Sequence, residues 1–422
     1  MRVLLIAYAE KTHFFEMVPL AWALHNAGHE VRFGGPPALV QAITEAGLTA
    51  VPLGRDSRFR RVMRSRASFA PGAGRAPSFA HLGDPGAGMS WESLTEQYAQ
   101  VVPWWWRLVN EPMIEDTVRL CRDWRPELVV WDAVTFAGAL GAEAVGAPHA
   151  RFMFGLDISG CLRSHYHRLV GERPERAGED ELGRWLRRQG RAYGVPFSER
   201  LTMGHFSIDH IPDPLRLQDE SGLDRLPMRY VPYNGRAVVP PWLREPPGRP
   251  RVCLSLGISA TQSSGGYRLS VQELLESMAD MDVEVVVTLP AHEQERLTRV
   301  PANARIVDYV PLDALMPTCS AIIDHGGTGT VLTAAAHAVP QLVIPHTYDE
   351  PLVARGLDEY GAGLALAPED AAGPVVRSML VRLLEEESFG TGALRLRDRM
   401  LASPAPGAVV SELERRVFGR PT

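Results

Sequence analysis

Lysine is all but missing from this 422-residue chain: of 44 basic residues only Lys11 is lysine, and the rest are arginine. Beside abundant Ala, Gly and Pro, that bias is the mark of a GC-rich genome and not of RNA binding. Positive charge in excess is missing as well. A formal net charge of −6 and a pI near 6.1 give no field that would recruit nucleic acid or an anionic membrane. Cysteine is scarce: Cys121, Cys161, Cys253 and Cys319 lie far apart, in neither a zinc nor a redox spacing, and are expected to be reduced and mostly buried. No apolar run reaches the roughly 20 residues of a membrane span. Met1 to Ala9 is one arginine and a short apolar run that meets Glu10 and Lys11, with no cleavage-like segment. It reads as a first strand, and the protein as soluble and cytoplasmic. A G-x-G-x-x-G is missing after that strand, which leads instead into Ala9-Glu10-Lys11-Thr12-His13 and so argues against a nicotinamide enzyme.

What is present is the pattern of a large α/β protein. At 45% apolar residues the chain supports about two to three domains, and two are expected. Arg2 to Tyr8 reads as a strand, Glu10 to His13 as a loop, and Val18 to Ala27 as a helix stopped by Gly28. Val31 to Phe33, Ala38 to Ala46 and Ala50 to Leu53 continue a βαβαβ run, whose unbroken apolar strands suit a parallel sheet covered on both faces. From Arg55 to Ser90 no period survives, which predicts a loop. Trp91 to Trp124 is helical, Leu128 to Trp131 a strand ending at Asp132, Phe136 to Val145 a helix and Ala150 to Phe154 a strand. The charged segment from Arg163 to Leu201 is expected to form surface helices. Pro232 to Pro250 holds six prolines and little periodicity, the composition of a linker. The expected division is therefore an N-terminal domain over 1–231, a linker over 232–250, a second α/β domain over 251–405 and a last helical stretch over 406–422 that returns toward the first.

The run Asp324-His325-Gly326-Gly327-Thr328-Gly329-Thr330 lies between an apolar strand and a helix-forming stretch. Its glycines let the main chain approach a ligand without Cβ interference, and the helix then aims unpaired N–H groups and its positive dipole end at that ligand. Phosphate is the natural guest, although a tight turn would also explain the glycines, and Thr328 and Thr330 are equally candidates to cap the helix. The next strand, Gln341 to Ile344, leads into His346-Thr347-Tyr348-Asp349-Glu350, so a phosphate grip and a carboxylate follow consecutive strands into one crevice. Ser255-Leu256-Gly257-Ile258-Ser259 brings a second Gly/Ser loop to the same edge. Asp308-Tyr309-Val310 offers a ring to stack on a base.

His13 lies just past the first strand, and Asp132 ends another strand of the same sheet. Together they would form a pair in which the carboxylate sets the imidazole tautomer; separately, each would only start a helix. The spacing in Asp280-Met281-Asp282 matches a metal-dependent sugar transferase, but it joins a helix to a strand and is expected to be a solvated turn; no metal site is expected. Trp104, Trp105 and Trp106, with Phe69, Phe79, Trp91 and Tyr98, gather aromatic surface suited to a large apolar ligand or to a core.

Further stretches carry a resemblance over nearly the whole chain: Thr12-His13-Phe14 followed by Val18 to Leu24, Ala27-Gly28-His29-Glu30-Val31, Ala46 to Pro52, Trp131-Asp132, Tyr230 to Gly235, His325 to Thr330 and Val339-Pro340-Gln341. In these the chain resembles bacterial antibiotic glycosyltransferases of the GT-B fold and glycosyltransferase family 1, those that attach deoxysugars to macrolide and related polyketide aglycones. The resemblance implies two Rossmann-like domains facing each other across a cleft. It implies a dTDP-sugar donor on the C-terminal domain, an apolar polyketide acceptor on the N-terminal one, inversion at the anomeric carbon, and no metal or cofactor. His13 would deprotonate the acceptor, oriented by Asp132. His325, Gly327, Thr328, Gly329 and Thr330 would hold the diphosphate, with Ser255 and Ser259 as lesser contacts; Tyr309 and Val310 would meet the base, and Asp349 the sugar hydroxyls. Asp324 departs from the family's usual histidine. Glu350 departs from Gln or Asn, a second carboxylate that would either select an unusual donor, such as an aminosugar, or point to solvent. A cytochrome-P450-like auxiliary protein and a homodimer are implied partners. A nucleotide-sugar epimerase and a non-catalytic sugar-nucleotide or polyketide-binding partner are the rival readings.

Overall fold

In this computed structural model, residues 1–69, 79–83, 89–217, 224–257, 267 and 269–419 are described. Two all-parallel sheets organise them. The first runs β3-β2-β1-β4-β5-β6-β7, built from β1 (Arg2–Ile6), β2 (Glu30–Gly35), β3 (Ala50–Pro52), β4 (Leu128–Asp132), β5 (His149–Phe152), β6 (Phe206–Asp209) and β7 (Arg225–Pro227). The second runs β10-β9-β8-β11-β12-β13, from β8 (Arg251–Ser255), β9 (Glu284–Thr288), β10 (Ala304–Val307), β11 (Ala321–Asp324), β12 (Gln341–Val343) and β13 (Gly363–Ala365). Each is α/β and doubly wound, and the pair is the GT-B arrangement that the sequence predicted, with helical crossovers burying both faces of strands such as Val3 to Ile6 and Val252 to Leu254.

In such a sheet the strand order reverses between β1 and β4, and again between β8 and β11. Ligands collect at these reversals, outside the carboxyl ends of the strands. Ile6 stands beside Trp131, and Ser255 beside Asp324. The loop after β1 and the end of β4 thus open into one crevice, and the loops after β8 and β11 into its counterpart.

Several expectations need correcting. The helix after β1, α1, spans Lys11–Asn26 instead of starting near Val18, so His13 sits in its first turn and not in a loop. Pro19 lies inside α1, where a proline gives up one intrahelical hydrogen bond, and the helix runs on through it. Within the segment expected to be a loop, Phe59–Phe69 forms a helix, anchored by Phe59, Val62 and Met63 on one face. Ala80–Gly83 forms a 3-10 turn, and residues 70–78 and 84–88 lie outside the described residues. The charged segment after Arg163 is not wholly surface: Arg163 is buried between Asp180 and Glu199. Trp91–Val101 continues through a π-helical turn, Val102–Trp106, where Pro103 has no N–H to give. That turn buries Trp106, leaves Trp104 42% exposed and sets Trp105 in the cleft.

The segment between the sheets clings to both. Tyr230 donates to Gly329 O, and Asn234 O accepts from the Tyr309 hydroxyl at 2.5 Å while its Oδ1 accepts from Asp313 N at 2.9 Å. Leu243 is buried against Cys253 and Ile322. The last helix, Pro406–Phe418, packs Val409, Val410 and Leu413 against α1.

Candidate active site

The carboxyl edges of the two sheets enclose a cleft of about 390 Å³. His13 lines it from the first sheet; Ser255, Tyr309, Val310, His325, Gly327, Thr328, Gly329, Thr330, Asp349 and Glu350 line it from the second. Asp132 stands one hydrogen bond behind His13. Ser259 lies outside the described residues.

The His13 ring is fixed on three sides. It stacks on Phe154 with centroids 3.7 Å apart, meets Tyr8 edge-on at 5.0 Å, and its Nδ1 is 2.8 Å from Asp132 Oδ1. Proton direction follows from the chain of bonds behind it. Tyr8 N–H donates to Thr135 Oγ1, so the Thr135 hydroxyl gives its own proton to Asp132 Oδ2, 2.6 Å away. The carboxylate is left to accept from His13 Nδ1–H, which leaves Nε2 as the free base, 3.5 Å from the Tyr8 hydroxyl. Burial, the largest influence on His13, opposes its protonation. The charge and hydrogen bond of Asp132, with the charge of Glu10, outweigh that and raise its pKa above the ordinary value. Such an imidazole is a stronger base than a free one.

On the second sheet, Gly327 precedes the Thr328–Ala336 helix with no side chain capping it, so neither threonine is the cap. Thr330 and Val331 N–H close the first turn onto Gly327 O. The N–H groups of Thr328 and Gly329 are the pair left pointing at an incoming anion; the Thr330 amide is already engaged. The His325 ring fits between Gly257 and Gly327: a Cβ on either would come within 2.5 Å of it. Gly257 has φ +70 and Gly326 φ +87. Burial drives His325 down to about 4, so its imidazole is neutral at physiological pH. Ser255 Oγ is 2.9 Å from Thr288 Oγ1. Tyr309 is 54% exposed and Val310 buried.

The acidic residues divide by environment. Asp349 is buried and reaches the opposite lobe, where Oδ2 accepts from Leu156 N at 2.9 Å; burial carries its pKa up to about 7, against that hydrogen bond. Gly155 leaves room for it, since a Cβ there would stand 2.4 Å from Oδ2. Glu350 Oε2 accepts from His346 N and Thr347 N, which ties one oxygen to its own turn. Asp324 is fully buried, accepts from Gly326 N at 2.7 Å and is pushed up to about 7 by burial: in place of a histidine it braces the glycine turn. Asp280 pairs with Arg377 and Asp282 is exposed, as befits a solvated turn.

Sequence reasoning missed Glu16, Phe154, Tyr230 and Tyr348. Glu16 shares a helical face with His13, a relation that a helix start near Val18 conceals. Tyr348 takes φ +55, a strained conformation for a ring-bearing residue, and packs edge-on against Trp105 and Phe79. Among the described residues, one group of three potential metal ligands occurs: Glu143, His149 and His205. It lies at the amino end of β5, the sheet edge opposite the cleft. There Trp131 N–H donates to His149 Nδ1, which puts the ring proton on Nε2, facing Glu143.

Two doubly wound lobes, with a carboxylate-backed histidine facing an anion-binding helix start across one cleft, define a GT-B glycosyltransferase. The family described as "Erythromycin biosynthesis protein CIII-like" matches in both of its parts, the N-terminal domain over residues 22–257 and the C-terminal domain over 272–415, and the chain belongs to it. It is 43% identical over 416 residues to "10-deoxymethynolide desosaminyltransferase" of Streptomyces venezuelae, covering 98% of this chain and 97% of that protein. It is 41% identical over 422 residues to "3-alpha-mycarosylerythronolide B desosaminyl transferase" of Saccharopolyspora erythraea, covering 100% and 99%. Among solved structures, glycosyltransferase VinC in complex with dTDP superposes with a TM-score of 0.87 at 38% identity, over 100% of both chains.

Proposed function

We propose that this enzyme moves a deoxysugar from a dTDP-sugar to a hydroxyl of a polyketide-type aglycone in antibiotic biosynthesis, in one inverting displacement that needs no metal. The observation that carries the reading is the meeting of the His13–Asp132 pair and the Thr328–Gly329 amides in one cleft, from opposing lobes. His13 Nε2 takes the acceptor proton as its oxygen attacks the anomeric carbon, and Asp132 stabilises the imidazolium. Charge grows on the departing diphosphate, and donors already fixed at a helix start meet it without the reorganisation that water would need. His325 stands beside them as a neutral donor, Tyr309 and Val310 hold the base, and Asp349 binds sugar hydroxyls once a donor displaces its bond to Leu156. A single displacement by one activated hydroxyl inverts the anomeric centre. The desosaminyl transfer named for both relatives supports a deoxysugar, and the dTDP on VinC supports the nucleotide.

The lobes divide the work, 1–231 for the acceptor and 251–405 for the donor, in a cytoplasmic enzyme. The same reading includes a cytochrome-P450-like auxiliary protein and a homodimer. The test is mass spectrometry of reactions offering several dTDP-deoxysugars against a panel of polyketide aglycones, with and without the auxiliary protein. A glycosylated aglycone is expected. Donor converted without acceptor would make the protein an epimerase, and ligands bound but unchanged would make it a silent partner.

A further inference from the structure

Glu16 is a buried carboxyl that the His13 mechanism leaves unused. It follows His13 by three residues on α1, so the two side chains leave the helix on one face. It is 8% exposed and lines the cleft. Its Oε1 lies 3.5 Å from where a Cβ on Gly329 would stand, so the carboxyl faces the first turn of the Thr328–Ala336 helix across the boundary between lobes. Its Oε2 is buried without a hydrogen bond, 3.3 Å from His210 Nε2, which has none either.

The surroundings favour the acid form of this carboxyl. Burial pushes Glu16 well above the usual carboxylate range; His13 opposes that, and Asp132 and Asp349 add to it. Burial also drives His210 down to about 4. With Glu16 raised and His210 lowered, their approach favours two neutral groups over an ion pair. Besides these, the Tyr230 hydroxyl is the titratable group at this corner, and it is held at Gly329 O and Thr333. An ionised carboxylate facing the helix start would repel a diphosphate, whereas a carboxylic acid there offers it a proton.

Resting on the glycosyl-transfer reading above, we propose that Glu16 is a second catalytic residue, an acid that meets the departing diphosphate while His13 relieves the acceptor of its proton. The acceptor oxygen forms its bond to the anomeric carbon as the bond from that carbon to the β-phosphate oxygen breaks, and the electron pair stays on the phosphate. The acceptor proton goes to His13 Nε2, and the Glu16 proton goes to the phosphate oxygen. Imidazolium and carboxylate remain on one helical face, so the net charge of α1 is unchanged by the step. A proton passing from His13 to Glu16 through water then restores both.

The first test uses the full chain and dTDP, by calorimetry across a rising pH series. Wild-type affinity is expected to fall on the order of tenfold or more as Glu16 ionises, since like charges a few ångströms apart repel strongly. E16Q should lose this part of the fall and keep only the shallower one that Asp349, ionising near 7 in the same cleft, gives both proteins. The fall should persist in H13Q, which removes the imidazole's own titration. A fall that survives undiminished in E16Q and vanishes in H13Q overturns the proposal. If the wild type does not bind dTDP at all, the donor reading fails, and this proposal with it. The second test is turnover on the pair found by the aglycone panel. E16A should lose on the order of 100-fold in kcat, the cost of one donor to a developing anion. E16Q, which donates a hydrogen bond without giving up a proton, should recover dTDP affinity but not full kcat. Variants that bind dTDP and turn over within about twofold of wild type refute the role.

Discussion

Replacing Asp132 by asparagine changes one atom and should disable the base. Thr135 must give its hydroxyl proton to residue 132, because its own oxygen already accepts from Tyr8 N–H. The introduced amide would meet that proton with its oxygen and so turn its NH2 toward His13 Nδ1. Nδ1 would then have to accept, the ring proton would move to Nε2, and the atom that takes the acceptor's proton would already carry one. The carboxylate charge that holds His13 above its ordinary pKa would vanish too, leaving burial to lower it. In the serine-protease triad a wrong tautomer of this kind costs about 10⁴-fold in kcat; here a fall on the order of 10² to 10⁴ is expected at pH 8. The acid limb of the kcat/KM profile should move to lower pH. The assay is steady-state transfer by D132N across pH 5 to 9, with dTDP affinity measured in parallel as a check on folding. A rate within about threefold of wild type, with dTDP binding intact, would refute the tautomer argument.

Gly257→Ala should push the His325 ring aside, because the added Cβ falls 2.5 Å from it and the backbone holds φ +70. Calorimetry with dTDP should show affinity lowered at least about tenfold, with a backbone penalty on the order of 1 kcal/mol in the melt. Burial raises the pKa of both Asp324 and Asp349 to about 7. For a folded pKa above the unfolded one, the stability is complete below the unfolded value near 3.8 and is lost as pH rises through about 7. The Tm should therefore decline between pH 5 and 8 through these two groups, and Asp324→Asn, uncharged throughout, should flatten that decline; an unaltered slope would show that Asp324 stays ionised.

Much of the architecture could be read directly from residue pattern. Parallel strands buried on both faces leave long apolar runs, and strand-ending glycines and carboxylates mark the crevice, so β1, β4 and β11 were predictable. What escaped was local. The start of α1 was set too late, at Val18, and with it went the relation of His13 to Glu16. The Phe59–Phe69 helix has a narrow apolar face diluted by arginines, and its period was lost among them. Tertiary partners are invisible in one dimension. Nothing near Asp349 announces that its carboxyl reaches Leu156, and nothing near Glu350 that its oxygen is tied to the His346 and Thr347 amides. Phe154 read as a strand end and Tyr348 as part of a polar loop; the first stacks on His13 within its own lobe, and only the meeting of the two lobes brings Tyr348 against Phe154.

The most direct measurement pairs transfer with binding in His13→Ala. If His13 primes the acceptor and the opposite lobe holds the donor by itself, the variant should form no detectable glycoside while binding the dTDP-sugar as tightly as the wild type. Product formed at an undiminished rate would contradict the account, because another group would then have to take the proton.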